Sequence, residues 1–257
     1  HLLNRIFKQY SFTIFFLLAI NHSVLADNSV HLVSEVYPPF LMANKQEGWF
    51  WQVVKSAYKT QGYHVTMEYM PWARAVQQVR GGEKDGLVAA FYSDKRTEWA
   101  FYSDPISELK TGVYKRRDFD FTYNSLNDLK GFTIAVGRDY IMSDAFDNAD
   151  HFNKEFVINS KIGLQMLYLG RVDFAAGSDI VDTYYINSEL SKTTAFKNAK
   201  QNLVFVEPAI ASQKMYLAFS KKAKDYKIKT KIFNQGLRII KNNGRYNKVI
   251  NKYLITP

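Results

Sequence analysis

The feature that most constrains this chain is the exchange of two hydrophobic periods along it, short β-branched runs alternating with stripes of helical spacing. Val30–Val36 reads as a first strand, ended by Pro38-Pro39. After Gly48, Phe50, Val53, Val54, Ala57 and Tyr58 fall at i, i+3, i+4, i+7 and i+8, one face of a helix that Gly62 closes. Tyr63–Met70 is the next strand, and Pro71 opens a helix on which Trp72, Val76 and Val79 share a face before Gly81-Gly82 stops it. Gly86–Ala90 is an apolar run suited to a buried parallel strand. A second series comes later: strand Phe132–Val136, Ser160 as N-cap of a helix carrying Leu164, Leu167 and Tyr168, strand Asp173–Ala176, and helix Asp179–Asn187. Late strands at Leu203–Val206 and Met215–Phe219 precede two basic helices. This alternation predicts an α/β fold of parallel sheets with covered faces. The 257 residues suffice for two modest lobes or one large domain.

The first 26 residues differ in kind. Arg5 and Lys8 precede an apolar run from Phe12 to Ile20, and Val24-Leu25-Ala26 offers small residues before a cut, the layout of a secretory signal peptide. The run is too short to span a bilayer comfortably, and cleavage after Ala26 would start the mature chain at Asp27. Without a twin arginine in the leader, export in the unfolded state is expected. There is no cysteine, so the expected product is held by core burial alone, carries no lipid-modified cysteine and is free in a periplasm.

The formal net charge of +10 is localised. From Lys221 onward there are eleven Lys or Arg and one acid, Asp225, whereas residues 27–220 hold 21 basic and 23 acidic side chains. The C-terminal stripe of Ile232, Phe233, Gly236, Leu237 and Ile240 leaves Lys231, Arg238 and Lys241 mostly outside it. A solvated helix face and contact with an anionic membrane or acidic partner are both open readings. Five scattered histidines, two of them in the leader, offer no metal cluster. Gly-x-Ser-x-Gly, phosphate-loop and dinucleotide signatures are all missing, so neither an enzyme nor a cofactor is expected. Confinement of the basic excess to one exported end argues against nucleic acid.

Between Tyr37 and Pro105 the motifs form an ordered series: Tyr37-Pro38-Pro39-Phe40, Gly48 before a helix, Pro71-Trp72-Ala73-Arg74, Gly82 to Asp85-Gly86, Arg96, and Phe101–Pro105. Leu129-Lys130-Gly131 then leads into Phe132–Val136, and Gly170-Arg171-Val172-Asp173 comes after. In order and spacing the chain resembles the bacterial extracellular solute-binding proteins of family 3, the periplasmic amino-acid-binding group of ABC importers, from Val30 to about Tyr253. The Pro-Trp-x-Arg element looks like one branch of that family. The resemblance implies a type II periplasmic binding protein fold, two α/β lobes with mostly parallel sheets joined by two crossover strands. Lobe 1 would be residues 27–114 plus 218–257, and lobe 2 residues 115–217. The lobes would close on a small-molecule ligand, and an inner-membrane ABC permease would read the closed form. The alternative function is that of a ligand-sensing protein signalling to a membrane receptor, with a dehydratase-like enzyme as a further one, and a monomer is expected.

The resemblance assigns Arg96 to a ligand carboxylate, a role its planar fork suits. It makes Trp49 and Tyr37 aromatic pocket walls. Glu35, just before the Pro-Pro turn, is placed to meet a cationic ligand group. Trp72 lies on an apolar stripe, which leaves core packing and ligand contact open; Arg74 lies off it, which leaves cleft contact and solvation open. Three positions depart from the family pattern. Phe91 stands five before the arginine, where threonine is frequent, and Gly137-Arg138-Asp139-Tyr140 replaces a glycine-rich loop. Ser178 falls where an aspartate usually takes the ligand ammonium, with Asp179 adjacent and Asp182 three further on. These departures point to a modified amino acid, a small peptide or another carboxylate.

Overall fold

The computed structural model describes residues 28–44 and 47–254; the expected signal peptide lies outside them. Three parallel strands begin the molecule: β1 (Ser29–Ser34) lies between β2 (His64–Tyr69) and β3 (Gly86–Phe91). They are connected by α1 (Trp49–Thr60) and α2 (Trp72–Gly81). A matching set lies later in the chain, with β6 (Thr133–Gly137) parallel to both β7 (Asn153–Val157) and β8 (Phe174–Ser178). Its helices are α3 (Asp144–Asn148), α4 (Ser160–Tyr168), α5 (Asp179–Tyr184) and α6 (Ala199–Asn202).

Two long strands, β5 (Ser107–Arg116) and β10 (Ala211–Ser220), join the sets. β10 pairs antiparallel with β3 through Met215–Phe219 and with β5 through Ala211–Met215. β5 then pairs antiparallel with β8 through Thr111–Tyr114. β10 thus extends the first set and β5 the second, and their mutual pairing makes one ten-stranded sheet, in the order β2-β1-β3-β10-β5-β8-β6-β7. Short β4 (Ala100–Tyr102) flanks β10, and β9 (Leu203–Phe205) flanks β5. This is the expected α/β fold, parallel within each lobe and antiparallel at the crossovers.

The predicted stripe of α1 is buried in full, and fully burying each such aliphatic or aromatic side chain contributes roughly 1.5–3 kcal/mol. Across it packs α7 (Tyr226–Asn242), which buries Phe233, Leu237 and Ile240 and is succeeded by α8 (Arg245–Leu254). The crossing is close enough that a Cβ on Gly236 would sit 2.1 Å from the Ala57 carbonyl oxygen. The second lobe has its own core around Ile134, Val136, Phe146, Phe152 and Phe174.

Local expectations are corrected at three places. Asn159, not Ser160, caps α4, its side chain accepting from the Ile162 N–H. The helix after Asp179 is α-helical only to Tyr184 and widens into a π-type turn over Tyr185–Glu189. Strands β4 and β7 have no counterpart among the expected elements, and β5 is expected only as one of the two crossover strands that the resemblance implies.

Candidate functional site

A recess with about 350 Å³ of empty space, the open solvent at its mouth included, lies where the two half-sheets meet. Its walls are built at the carboxyl ends of parallel strands, where open α/β sheets place ligands. Ser34, Glu35 and Tyr37 come from the end of β1, Ala89 and Phe91 from the end of β3, and Tyr140 and Ile141 from the loop after β6. Trp72 heads α2, and Arg96 lies on the single helical turn Lys95–Glu98. Ala89 has φ 60°, and the β3–β10 register shifts opposite it, between Tyr216 and Leu217. This is a bulge, a device that bends a strand end and re-aims its last side chains.

Arg96 is 5% exposed. Its Nη1 donates to the Phe91 carbonyl at 3.0 Å and its Nη2 to the Asp139 carbonyl, in the other lobe, at 3.2 Å. The guanidinium lies over the Trp72 ring at 5.7 Å, and the Trp72 Nε1–H donates to the same Asp139 carbonyl at 3.0 Å. The Tyr102 hydroxyl, which donates to the Phe91 carbonyl at 3.1 Å, also hydrogen-bonds Arg96. Burial pulls the Arg96 pKa down, and Tyr102 pushes it back up. Among the described residues Arg96 is in no ion pair, so neither Asp94 nor Glu98 claims it. A guanidinium has five N–H donors; the two carbonyls occupy two and the Tyr102 hydroxyl takes another, which leaves donors over.

Among the residues that line the recess Glu35 is the acid. Burial pushes the Glu35 carboxyl up to about 8, with the Tyr140 hydroxyl hydrogen bond opposing and the Asp182 charge adding to the rise. Tyr37 is hydrogen-bonded to the Ser178 side chain, and the Tyr185 hydroxyl donates to the Val36 carbonyl at 3.1 Å. Burial holds Tyr37, Tyr140 and Tyr185 above the ordinary tyrosine range. Glu35–Tyr140, Tyr37–Ser178, Tyr185–Val36, Trp72–Asp139 and Arg96–Asp139 thus all bridge the lobes.

Of the residues singled out from sequence, Arg96, Glu35, Tyr37, Trp72, Phe91 and Tyr140 meet at the recess. Trp49 does not line it: it is 7% exposed and packs on Phe40 and Phe50 at ring separations of 5.1 and 5.8 Å. Arg74 is exposed on α2 and does not line the recess. Ser178 caps α5, its hydroxyl accepting from the Val181 N–H at 3.1 Å. Asp179 is half-buried, Oδ1 accepting from the Ile180 N–H and its carbonyl from the Tyr114 hydroxyl.

Sequence reasoning passes over Tyr102 and Tyr185, and names Asp182 only as an acid near Ser178, not as a site residue. Asp182 is 1% exposed, and its Oδ2 accepts from the Ser178 N–H at 2.6 Å. Burial raises it to about 7, opposed by the Ser160 hydroxyl and the Ser178 N–H. The carboxylate lies flat on the Gly177 backbone, where a Cβ would be 1.9 Å from Oδ2. The nearest signal in the sequence is its spacing within a short helix.

Among the described residues no group of three or more His, Cys, Asp or Glu side chains could hold a metal ion. No helix there is long and apolar enough to cross a membrane.

Similar architectures are found in solved structures. A histidine kinase sensor domain with similarity to periplasmic binding proteins aligns at TM-score 0.75 and 22% identity, over 88% of this chain and 96% of that one. A variant of ArgBP from T. maritima aligns at TM-score 0.73 and 18% identity, over 88% and 95%. The substrate binding protein of an amino acid ABC transporter aligns at TM-score 0.71 and 16% identity, over 87% and 98%. At these identities the likeness is one of fold, the type II periplasmic binding protein fold. No curated protein sequence matches the chain. The model of the bacterial extracellular solute-binding proteins, family 3, matches residues 30–256. Spanning both half-sheets and every wall of the recess, that match means that this chain belongs to the bacterial extracellular solute-binding proteins of family 3.

Proposed function

We propose that the protein is a periplasmic binding protein that closes its two lobes on a small carboxylate-bearing ligand and delivers it to an inner-membrane ABC importer. The observation that carries this reading is Arg96, buried at the recess with two donors held by backbone carbonyls and no acid partnering it among the described residues. A guanidinium desolvated in this way favours an anion, and its unused N–H groups suit a carboxylate. Tyr37, Trp72 and Tyr140 supply the aromatic walls, and Glu35 faces the remainder of the ligand. Hinge motion would be taken up by β5 and β10, with lobe 1 as residues 27–114 plus 218–257 and lobe 2 as 115–217. The same reading has the chain exported and cut after Ala26, which the mass of protein recovered from the periplasm tests directly.

A thermal-shift screen against amino acids, short peptides and small organic acids tests the ligand. Saturation at 100 times the dissociation constant adds about 2.7 kcal/mol, a rise of roughly 5–10 °C for a protein of this size. A hit that Arg96→Ala loses supports the reading, and silence from every carboxylate sinks it. The second reading is a sensory one, in which the closed form reports to a membrane receptor; the resemblance to a histidine kinase sensor domain favours it. Co-purification of the ligand-bound form with a permease or with a receptor separates the two.

A further inference from the structure

The terminal helices carry a surface that the cleft does not use. Ile228 and Ile239 stand on α7 with 52% and 43% of their surface exposed. At about 100° per residue they share one line along the helix, with half-buried Ile232 beside them. Lys227, Lys231 and Arg238 form an exposed stripe about a quarter-turn away. The face that packs α7 into the core, Phe233, Leu237 and Ile240, is a different one. On α8, Arg245, Lys248 and Lys252 recur at i, i+3 and i+7, all exposed.

Charge on this surface is unbalanced. Lys229 pairs with Asp85 at 2.7 Å and Arg238 with Asp104 at 3.3 Å, while Lys227, Lys231 and Lys248 are in no ion pair among the described residues. A face kept only for solubility would mix the two signs. Nine of the eleven cations from Lys221 onward are lysine. Protein–protein interfaces favour arginine and are depleted in lysine, whereas lipid headgroups ask only for charge. Lysines bordering exposed isoleucines on one helix are the pattern of helices that lie in a bilayer interface.

We propose that α7 and α8 form a docking surface for an anionic lipid bilayer, the lysines meeting the headgroups and Ile228 and Ile239 entering the acyl boundary. Held there, the protein reaches membrane partners by a search along the surface instead of through bulk solution. The surface stands independently of what the cleft binds.

The test is co-sedimentation of the exported protein with vesicles of phosphatidylcholine alone or with phosphatidylglycerol added, at about 50 and about 300 mM salt. Binding is expected to the anionic vesicles only, and to weaken at the higher salt. Lys227→Gln with Lys231→Gln should weaken it about 30-fold. Ile228→Ser with Ile239→Ser should weaken vesicle binding while leaving retention on immobilised polyglutamate unchanged. These positions are exposed, and unchanged melting temperatures establish that the variants fold. Absence of binding to anionic vesicles, or binding that both variants retain, overturns the proposal. Retention on polyglutamate without vesicle binding overturns it in favour of an acidic protein partner.

Discussion

The Glu35 carboxyl, on the segment after β1, and the Tyr140 hydroxyl, on the segment after β6, are hydrogen-bonded across the junction of the two lobes. Asp182, from the same lobe as Tyr140, raises the Glu35 pKa further, since it is also acidic. With burial dominant and no compensating cation acting on it, Glu35 is held as the neutral acid near neutral pH.

Stability should therefore depend on pH, with a definite sign. The buried Glu35 has its pKa raised from 4.5 to about 8, so the folded state binds the proton more tightly than the unfolded one. Its contribution is full below pH 4.5 and is lost as pH rises toward 8. The slope is about 1.4 kcal/mol per pH unit for one group. Asp182, raised from 3.8 to about 7, adds a decline in the lower part of that window. Melting temperatures recorded between pH 5 and 9 should fall in the wild type and fall less steeply in Glu35→Gln, where the decline left is that of Asp182 below about pH 7. Parallel profiles for the two proteins would show that Glu35 does not titrate in this environment.

Trp72 links the lobes through its ring nitrogen while its face carries Arg96. Trp72→Phe keeps an aromatic face but removes the N–H. The Asp139 carbonyl still accepts from Arg96, so no buried acceptor is orphaned and the cost should stay near about 1 kcal/mol. Trp72→Ala also removes the stacking and leaves a cavity, for about 3–5 kcal/mol. Urea unfolding of the two variants measures the difference, and equal losses would mean that ring packing contributes nothing beyond the hydrogen bond.

Gly236 sets two effects against each other. Alanine in an exposed helix interior would stabilise α7 by about 1 kcal/mol over glycine. Here its Cβ would sit 2.1 Å from the Ala57 carbonyl oxygen, in the backbone of a packed helix, and overpacking of this kind costs typically about 1–3 kcal/mol. Contact should win, so Gly236→Ala lowers the urea midpoint. A raised midpoint would mean that α1 and α7 are free to move apart.

The parts of this protein legible in its sequence are those whose reason is local. The stripe on α1 and the run of β3 announce themselves within a dozen residues, and both half-sheets grow from such signals. β5 escapes notice because charged Glu108 and Lys110 and the small Gly112 make it read as loop. Its strand character comes from β10 and β8, which reach it from distant parts of the chain. Asp182 is hidden for a related reason. Nothing beside it in the sequence tells that its carboxylate turns inward onto Gly177 and Ser178, or that Glu35 lies across the junction. Arg96 is recoverable because an arginine after a strand end, amid aromatics, fits a pattern that the family shares.

Trp49 and Tyr37 make the sharpest contrast, since the family resemblance implies the same role for both, as pocket walls. Trp49 lies off the periodic stripe of α1, yet the loop before the helix brings Phe40 onto it and buries it away from the recess. Tyr37 lines the recess and reaches Ser178 in the other lobe. Trp49→Ala should therefore cost about 3–5 kcal/mol of stability while leaving the ligand-induced rise in melting temperature at its wild-type size. Tyr37→Phe should change stability by only about 1 kcal/mol and, on the proposed reading in which the lobes close on the ligand, shrink that ligand-induced rise, because the lost bond joins the lobes. Thermal shifts of both variants with and without ligand read the two quantities separately. The reverse outcome, ligand response lost in Trp49→Ala and kept in Tyr37→Phe, would mean that the ligand enters between α1 and the first loop and not between the lobes.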